Sequence, residues 1–586
     1  MVRQGCRIFV ASVLVLIATA LSPIAPPASA GQVSRPLELL YDNTAISDDT
    51  EPAEADFDGS GASLSAQDLA AAGWTPGRTI TVQGARLTLP RRAPGEPDNV
   101  LATGQSVRVT GRGNALAFLV AATGADASGT GTVDYADGTR SRYRLTAADW
   151  RTGPLATKAV ALPHVNTPDG QLAEQARLYV VTVPIVPDRT VLSVRLPHAA
   201  DLHVFALSVR PATPGWTGTW SAATSGHPAV GPWTDRTLRL VVHTSAGGPR
   251  LRLRFDNTFA SAPVGIASAT VAVQEQGAAA LDTPVPVTFR SAPGVSLPAG
   301  AQVYSDPLDF PVAADTNLLV SFRLTGTVSA LPVHRFANQR SYVSRTGDHT
   351  ADVSAAAFTS GISYWPLLTG VDVAGGPGSV VLLGDSITDG SRSTVNANRR
   401  WPDLLSDRLR AQSKIPPYGV LNQGISANRV VTDGYPGDGT SSVQTGVSAL
   451  NRLDRDVFAQ TSARTVVVFE GVNDLRFGAD AGQVAAGLSQ IAERAHARGL
   501  RVLAATILPC GGNVLCTPAM EAERTELNTW LRAGGGGFDG LFDFDAVVRD
   551  PADPSRMLPA YDGGDHLHPG DAGMAALAQA VDLEAL

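Results

Sequence analysis

At 586 residues the chain is longer than one hydrophobic core sustains, and two to four domains are expected. Its composition, 44% hydrophobic and 17% charged with a net charge of −8, is that of a globular protein lean in charge. Lysine occurs only at Lys158 and Lys414 and the arginines are scattered among acids, so no basic stripe argues for a nucleic-acid partner.

Arg3 and Arg7 precede an apolar run over residues 8–21, and Ala28-Ser29-Ala30 has the small-x-small form of a cleavage site. Residues 1–30 therefore read as a signal peptide, and a secreted, extracellular protein beginning near Gly31 is expected. No later stretch reaches about 18 apolar residues, so the mature chain should have no membrane span. Cys6 lies in the charged part of the signal, which leaves Cys510 and Cys516 in the exported chain. A disulfide closing the Gly511-Gly512-Asn513-Val514-Leu515 loop is expected there; the alternative is two free thiols. Zinc would need more ligands than this segment offers.

Short strands and turns fill residues 37–211. Residues 78–90 are rich in β formers and residues 115–123 are strongly apolar, while Val133-Asp134-Tyr135 meets Arg142-Tyr143-Arg144-Leu145 across Asp137-Gly138, a hairpin signal. Further strands over 178–185 and 191–196 make this a predicted β-sandwich accessory domain. Asp48, Asp49, Asp56 and Asp58 lack a spaced calcium-loop motif and read as solvated turn acids. Residues 41–49, together with Leu202-His203-Val204-Phe205-Ala206-Leu207, resemble an accessory module of secreted bacterial glycan-degrading enzymes. That resemblance implies either a glycan-facing role or a spacer.

Arg210-Pro211-Ala212-Thr213-Pro214-Gly215 is a linker-like break. A second β-sandwich is predicted over 216–373. There Leu251, Leu253 and Phe255 alternate with Arg250, Arg252 and Arg254, a pattern that buries one face and wets the other. Residues 318–324 make another strand. Trp216, Trp220 and Trp233 read as core aromatics in preference to sugar-stacking platforms.

After Ala374-Gly375-Gly376-Pro377-Gly378 the texture changes. Strands near Val380, Val420, Val466, Val502 and Phe542 alternate with helices predicted over 401–412, 481–497, 520–531 and 571–583. This predicts a flavodoxin-like three-layer α/β/α domain over 378–586 with a parallel sheet. Its first strand, Val380-Val381-Leu382-Leu383, ends in Gly384-Asp385-Ser386 and delivers a serine to the sheet's carboxyl edge, where open α/β folds place their chemistry. A serine needs a base, and the base an orienting group. Gly564-Asp565-His566-Leu567-His568-Pro569 offers both, and Glu470-Gly471-Val472-Asn473-Asp474 ends a neighbouring strand with an amide suited to an oxyanion. His566 rivals His568 as base, and Asp562 is a weaker rival to Asp565. His496 is placed late in a helix, Arg400 is read as pairing with Asp403 or Asp407, and Asp385 and Asp389 as fixing the serine loop. No Gly-x-Ser-x-Gly elbow occurs.

Gly384-Asp385-Ser386, residues 422–430, Gly471-x-Asn473-Asp474 and Asp565-x-x-His568 resemble, in order, the four blocks of the SGNH (GDSL-type) ester hydrolases. The resemblance implies Ser386 as nucleophile, His568 as base and Asp565 as its orienter. It also implies an oxyanion hole from the Ser386 N–H, the Ala427 N–H and the Asn473 side chain, with no metal or organic cofactor. The family's second-block glycine falls at Ala427, whose N–H is expected to donate provided its φ is not positive; Gly424 is the alternative. The implied activity is carboxylic ester hydrolysis through an acyl-enzyme. Export and the accessory module favour an acylated, such as acetylated, polysaccharide as substrate. A lipid esterase or lysophospholipase, and a non-catalytic glycan-binding protein, are the alternatives.

Overall fold

The computed structural model describes residues 33–586; the expected signal peptide and Cys6 lie outside the described residues. Two largely antiparallel β regions precede a parallel α/β domain.

In the first region a five-stranded sheet, with Gly113–Ala122 at its centre between Ala176–Pro184 and His198–Pro211, packs against a four-stranded sheet. Phe118, Val133, Tyr143 and Val204 fill the space between them. The Asp137-Gly138 hairpin forms as expected, with Asp134 opposite Arg140. Asp48, Asp56 and Asp58 accept hydrogen bonds from neighbouring turn residues, the turn role read for them. Among the described residues no cluster suited to a metal ion occurs.

The second region encloses its own core, with Leu240, Phe255, Val271, Phe322 and Val371, between a six-stranded and an eight-stranded sheet. Trp220 and Trp233 are buried in it. The six-stranded sheet crosses the expected boundary. The hairpin Thr79–Val82/Ala85–Thr88 joins it through Thr81 opposite Gln302, and the buried Trp74 Nε1 donates to Ala299 O at 2.8 Å. Arg210, read as linker, is 2% exposed and donates to Asn114 Oδ1. The alternation over 250–255 buries Leu251, Leu253 and Phe255 as expected and leaves Arg250 exposed, but Arg252 and Arg254 are not on a wet face. Arg252 pairs with Asp372, and Arg254 is buried with its guanidinium on Thr369 and Gln460, acceptors remote in sequence that the fold brings over it.

The α/β domain has the parallel strands Ser379–Gly384 (β1), Gly419–Gly424 (β2), Ala463–Phe469 (β3), Arg501–Ala505 (β4) and Gly540–Phe542 (β5) in the order 2-1-3-4-5. That is the flavodoxin-like order, with its switch point between β1 and β3. The near-continuous apolar runs follow from burial on both faces. Along β1, Val380 and Leu382 face the helices Trp401–Arg410 and Asp571–Ala580, whereas Val381 and Leu383 face Ala481–His496 and Pro518–Arg532. Each such side chain contributes roughly 1.5–3 kcal/mol by leaving water.

The edge strand β2 is covered by the second β region. Val420 N donates to Ser245 Oγ at 2.9 Å, and Gly218 N donates to Ser379 Oγ at 2.9 Å. A side chain at Gly419 would meet Gly218 O at 1.9 Å, so glycine is what permits this docking.

Candidate active site

Ser386 opens the short helix Ser386–Asp389 directly after β1, with Asp385 as N-cap accepting from Ile387 N at 2.9 Å. The chain turns there because nothing larger than glycine fits before it: a Cβ at Gly384 would lie 2.3 Å from Thr388 Oγ1. Ser386 Oγ lies 2.8 Å from His568 Nε2, and His568 Nδ1 lies 2.8 Å from Asp565 Oδ2. Asp565 Oδ1 also accepts the His568 N–H at 2.9 Å, so one carboxylate fixes both the ring and the backbone of the base. Residues 182 positions apart in sequence thus form one hydrogen-bonded row.

His566 does not join it. Its Nδ1 meets Asp562 Oδ2 at 2.5 Å, and the ring points outward with half its side chain exposed. The two His/Asp pairs are therefore segregated. His496, at the end of its helix, pairs with Asp539, and Arg400 pairs with Asp403.

Burial raises the Asp565 carboxyl, but the His568 N–H, the imidazole and Arg392 outweigh it and hold the group well below the usual carboxylate range. Arg392 Nε donates to Asp565 Oδ2 at 2.9 Å. Burial lowers His568 below its ordinary 6.5; Asp565 opposes this while Arg476 and Arg392 add to it. The imidazole is thus neutral at pH 7, with Nδ1–H donated to Asp565 and Nε2 free to accept from Ser386.

Asn473 follows β3. Its Nδ2 spends one proton on Asn428 O at 3.0 Å and its Oδ1 accepts from Arg476 at 3.1 Å, which fixes the amide plane and leaves a second N–H. Ala427 has φ +62°, contrary to the condition set from the sequence. It adopts the left-handed conformation that glycine takes without strain, at a cost of about 1 kcal/mol. Its N–H has no partner among the described residues and so remains a free donor. Gly424 is not an alternative donor: it ends β2 and its N–H is held by Asn422 Oδ1 at 2.9 Å.

Beneath the row lies a layer of which sequence reasoning picked out Asp389 and Asp474 but neither Arg452 nor His334. The fully buried Arg452 donates to Gly384 O at the end of β1, Gln423 O in β2 and Asn428 Oδ1. Asp474 accepts from Val430 N and Val431 N, tying the Ala427 loop to the Asn473 turn. From the second β region, His334 Nε2 reaches Asp389 Oδ1 at 3.0 Å, while Asp389 Oδ2 accepts from Ser426 N and Oγ. His334 Nδ1 faces Ala223 O, and the Asp389 carboxylate at Nε2 outweighs burial and raises the ring above its ordinary value, which favours the doubly protonated form. Asp389, read as fixing the serine loop, and Asp474 and Asn428, inside the third and second blocks, carried a local signal; Arg452 and His334 carried none.

Cys510 and Cys516 are bonded, and inside their loop Asn513 Nδ2 donates to Asp565 O at 3.0 Å.

Residues 382–576 match the GDSL-like lipase/acylhydrolase family, and residues 32–213 match the AziU2-like β-sandwich domain. The chain therefore carries a C-terminal domain of a carboxylic ester hydrolase family behind an N-terminal β-sandwich domain. No curated protein matches it. Similar solved structures include a putative lipolytic protein of the G-D-S-L family from Desulfitobacterium hafniense, 19% identical, covering 34% of this chain and 96% of its own at a TM-score of 0.27. A GDSL-like lipase from Bacteroides thetaiotaomicron is 18% identical and covers 34% and 84% at 0.25. The acetyl xylan esterase AlAXEase is 20% identical and covers 34% and 96% at 0.26.

Proposed function

We propose that residues 378–586, a GDSL-like acylhydrolase domain, cleave carboxylic esters by acyl transfer through Ser386. The observation that carries this reading is the unbroken row Ser386 Oγ, His568, Asp565, with both links at 2.8 Å. Ser386 Oγ attacks the ester carbonyl as its proton passes to His568 Nε2, and the imidazolium is stabilised by Asp565. The oxyanion is met by the N–H groups of Ser386 and Ala427 and by the second Asn473 N–H. Collapse expels the alcohol, which takes the proton from His568. Water, deprotonated by the same ring, then frees the acid from the acyl-enzyme.

For substrate, an acylated and in particular acetylated polysaccharide acted on outside the cell is the reading we adopt. It is supported by the export signal expected in residues 1–30, by the disulfide, and by polar groups crowding the row: Arg392, Arg476, Asn513 and a half-exposed His566 suit a hydroxyl-rich alcohol. A lipid esterase is the second reading. What favours it is apolar surface beside the row, with Phe477 58%, Val514 90% and Leu515 41% exposed.

Labelling by a fluorophosphonate probe tests the chemistry. Wild-type protein should label and Ser386→Ala should not; a wild-type protein that stays unlabelled would sink the hydrolase reading in favour of a binding protein. Initial rates on acetylated xylan beside esters of increasing acyl length decide the substrate. The polysaccharide reading expects the acetyl substrates to lead, and a rise with chain length replaces it with the lipid one.

A further inference from the structure

Across the parallel sheet from Ser386 lies a cleft of about 1070 Å³. Its walls come from the starts of β3 and β4, from the hairpin Thr79–Val82/Ala85–Thr88 and from residues 210–214, so all three regions of the chain meet around it. Strands enter the sheet here and leave it at Ser386, about 20 Å away for six residues of strand. The cleft is therefore not part of the ester site.

Five arginines, Arg78, Arg86, Arg290, Arg464 and Arg501, line it with no ion-pair partner among the described residues, and Asp188 is the one acidic side chain on the wall. Arg290 lies near enough to Arg78 to add to the downward pull that burial exerts on it. Behind them, Arg210 and Arg498 are only 2% and 7% exposed, and Arg210 Nη2 and Arg498 Nε have no acceptor among the described residues. Arg252 Nη2, on the same wall, has none either. A buried donor left without an acceptor is destabilising, and like charges gathered in a concave wall repel. Arg498 is balanced by Asp454, which also faces Arg210, and Arg252 by Asp372, but the five arginines on the open wall have no such partner among the described residues, a local inversion of sign in a chain of net charge −8.

We propose that the cleft binds an acidic polysaccharide through the carboxylates of its uronic acid residues. Planar guanidinium forks match carboxylates two bonds at a time, and several set around one cavity suit repeated carboxylates along a chain. A single-stranded nucleic acid would also need open aromatic faces for its bases. Here Arg252 covers Tyr304, Arg498 covers Phe458 and Phe289 is 4% exposed, which leaves the half-buried Tyr418 as a single ring where successive bases need several. Binding does not depend on ester chemistry. Its purpose, anchoring a polymer whose acyl groups Ser386 removes, rests on the function proposed above.

The test is a calorimetric titration of the full chain with an oligogalacturonate, a neutral oligogalactan of equal length and a single-stranded oligonucleotide, alongside turnover of a small soluble ester. The uronate should bind, weaken as salt is raised, and lose about tenfold in affinity in the double variant Arg464→Ala/Arg501→Ala, while the neutral oligomer gives no signal. Both arginines are exposed and unpaired, so melting temperature and small-ester turnover should stay at wild-type values. No uronate binding at low salt overturns the proposal, as does unchanged affinity in the variant or tighter binding of the oligonucleotide. Uronate binding without any ester turnover by wild type would leave this site standing and sink the hydrolase reading; turnover without binding would do the reverse.

Discussion

Individual side chains set the proton chemistry of the Ser386 row. The base must be neutral to accept the serine proton, so kcat/KM should rise with pH through the His568 pKa, which lies below 6.5. Arg392 is one of the cations that disfavour the imidazolium. Arg392→Ala removes that charge, makes protonation easier, and should move the acid limb of the pH–rate profile to higher pH; a limb that moves down or stays would show that Arg392 does not act on the ring. Asn473→Ala should cost on the order of 100-fold in kcat with folding intact, since its remaining N–H is the side-chain donor assigned to the oxyanion. At Ala427 the expectation is gentler. Glycine adopts φ +62° freely, so Ala427→Gly should stabilise by up to about 1 kcal/mol, less what the unfolded chain gains, and thermal melting measures it. Ser386, His568, Asp565 and Asn473 could be singled out in the sequence because each sits at the end of a strand or in a turn inside one of the ordered blocks; that Ser386 and His568 meet across 182 positions is a product of the fold. The strained φ at 427 was not legible there, because it is set by Asp389 and Asp474 gripping the loop on either side.

At the level of elements, strands buried on both faces announced themselves as apolar runs, and β1 through β5 lie where Val380, Val420, Val466, Val502 and Phe542 indicated. Inference from alternation held for Leu251, Leu253, Phe255 and Arg250 and failed for two arginines. Arg252 and Arg254 mimic the wet side of a half-exposed strand, yet Asp372, Thr369 and Gln460 close over them, and no local pattern encodes a cover supplied from more than 100 residues away. The Cys510–Cys516 loop shows how an element can serve chemistry without touching it. It holds Asn513 against Asp565 O, so it buttresses the segment that carries the base. Reducing this bond should cost about 2 kcal/mol by the chain-entropy estimate for so short a loop. Turnover should fall with the melting temperature only partly restored by substrate. Activity unchanged in reductant, with the bond shown open by mass spectrometry, would mean the loop is not a support for Asp565.

On the scale of the whole molecule, the β regions and the α/β domain share polar contacts that neither could satisfy alone. His334 and Asp389 are both buried, and each would be left as an uncompensated charge if the other were removed. Arg254 reaches Gln460, and Ser245 caps the edge strand β2 that would otherwise offer open N–H and C=O groups. Residues 378–586 expressed by themselves should therefore melt lower and associate more readily than a chain that keeps residues 216–377, even though every residue of the Ser386 row is present. Within the full chain, His334→Ala isolates the contribution to catalysis. Asp389 loses its cation, its hold on Ser426 loosens, and the adjacent Ala427 N–H is no longer fixed against the reacting carbonyl. Such a positioning role predicts a fall in kcat with KM nearly unchanged, and partial rescue when Asp389→Asn is added, because the neutral amide keeps an oxygen for Ser426 without burying a charge. If His334→Ala lowered only the melting temperature and left kcat at wild-type values, the β region would be a support for folding and nothing more.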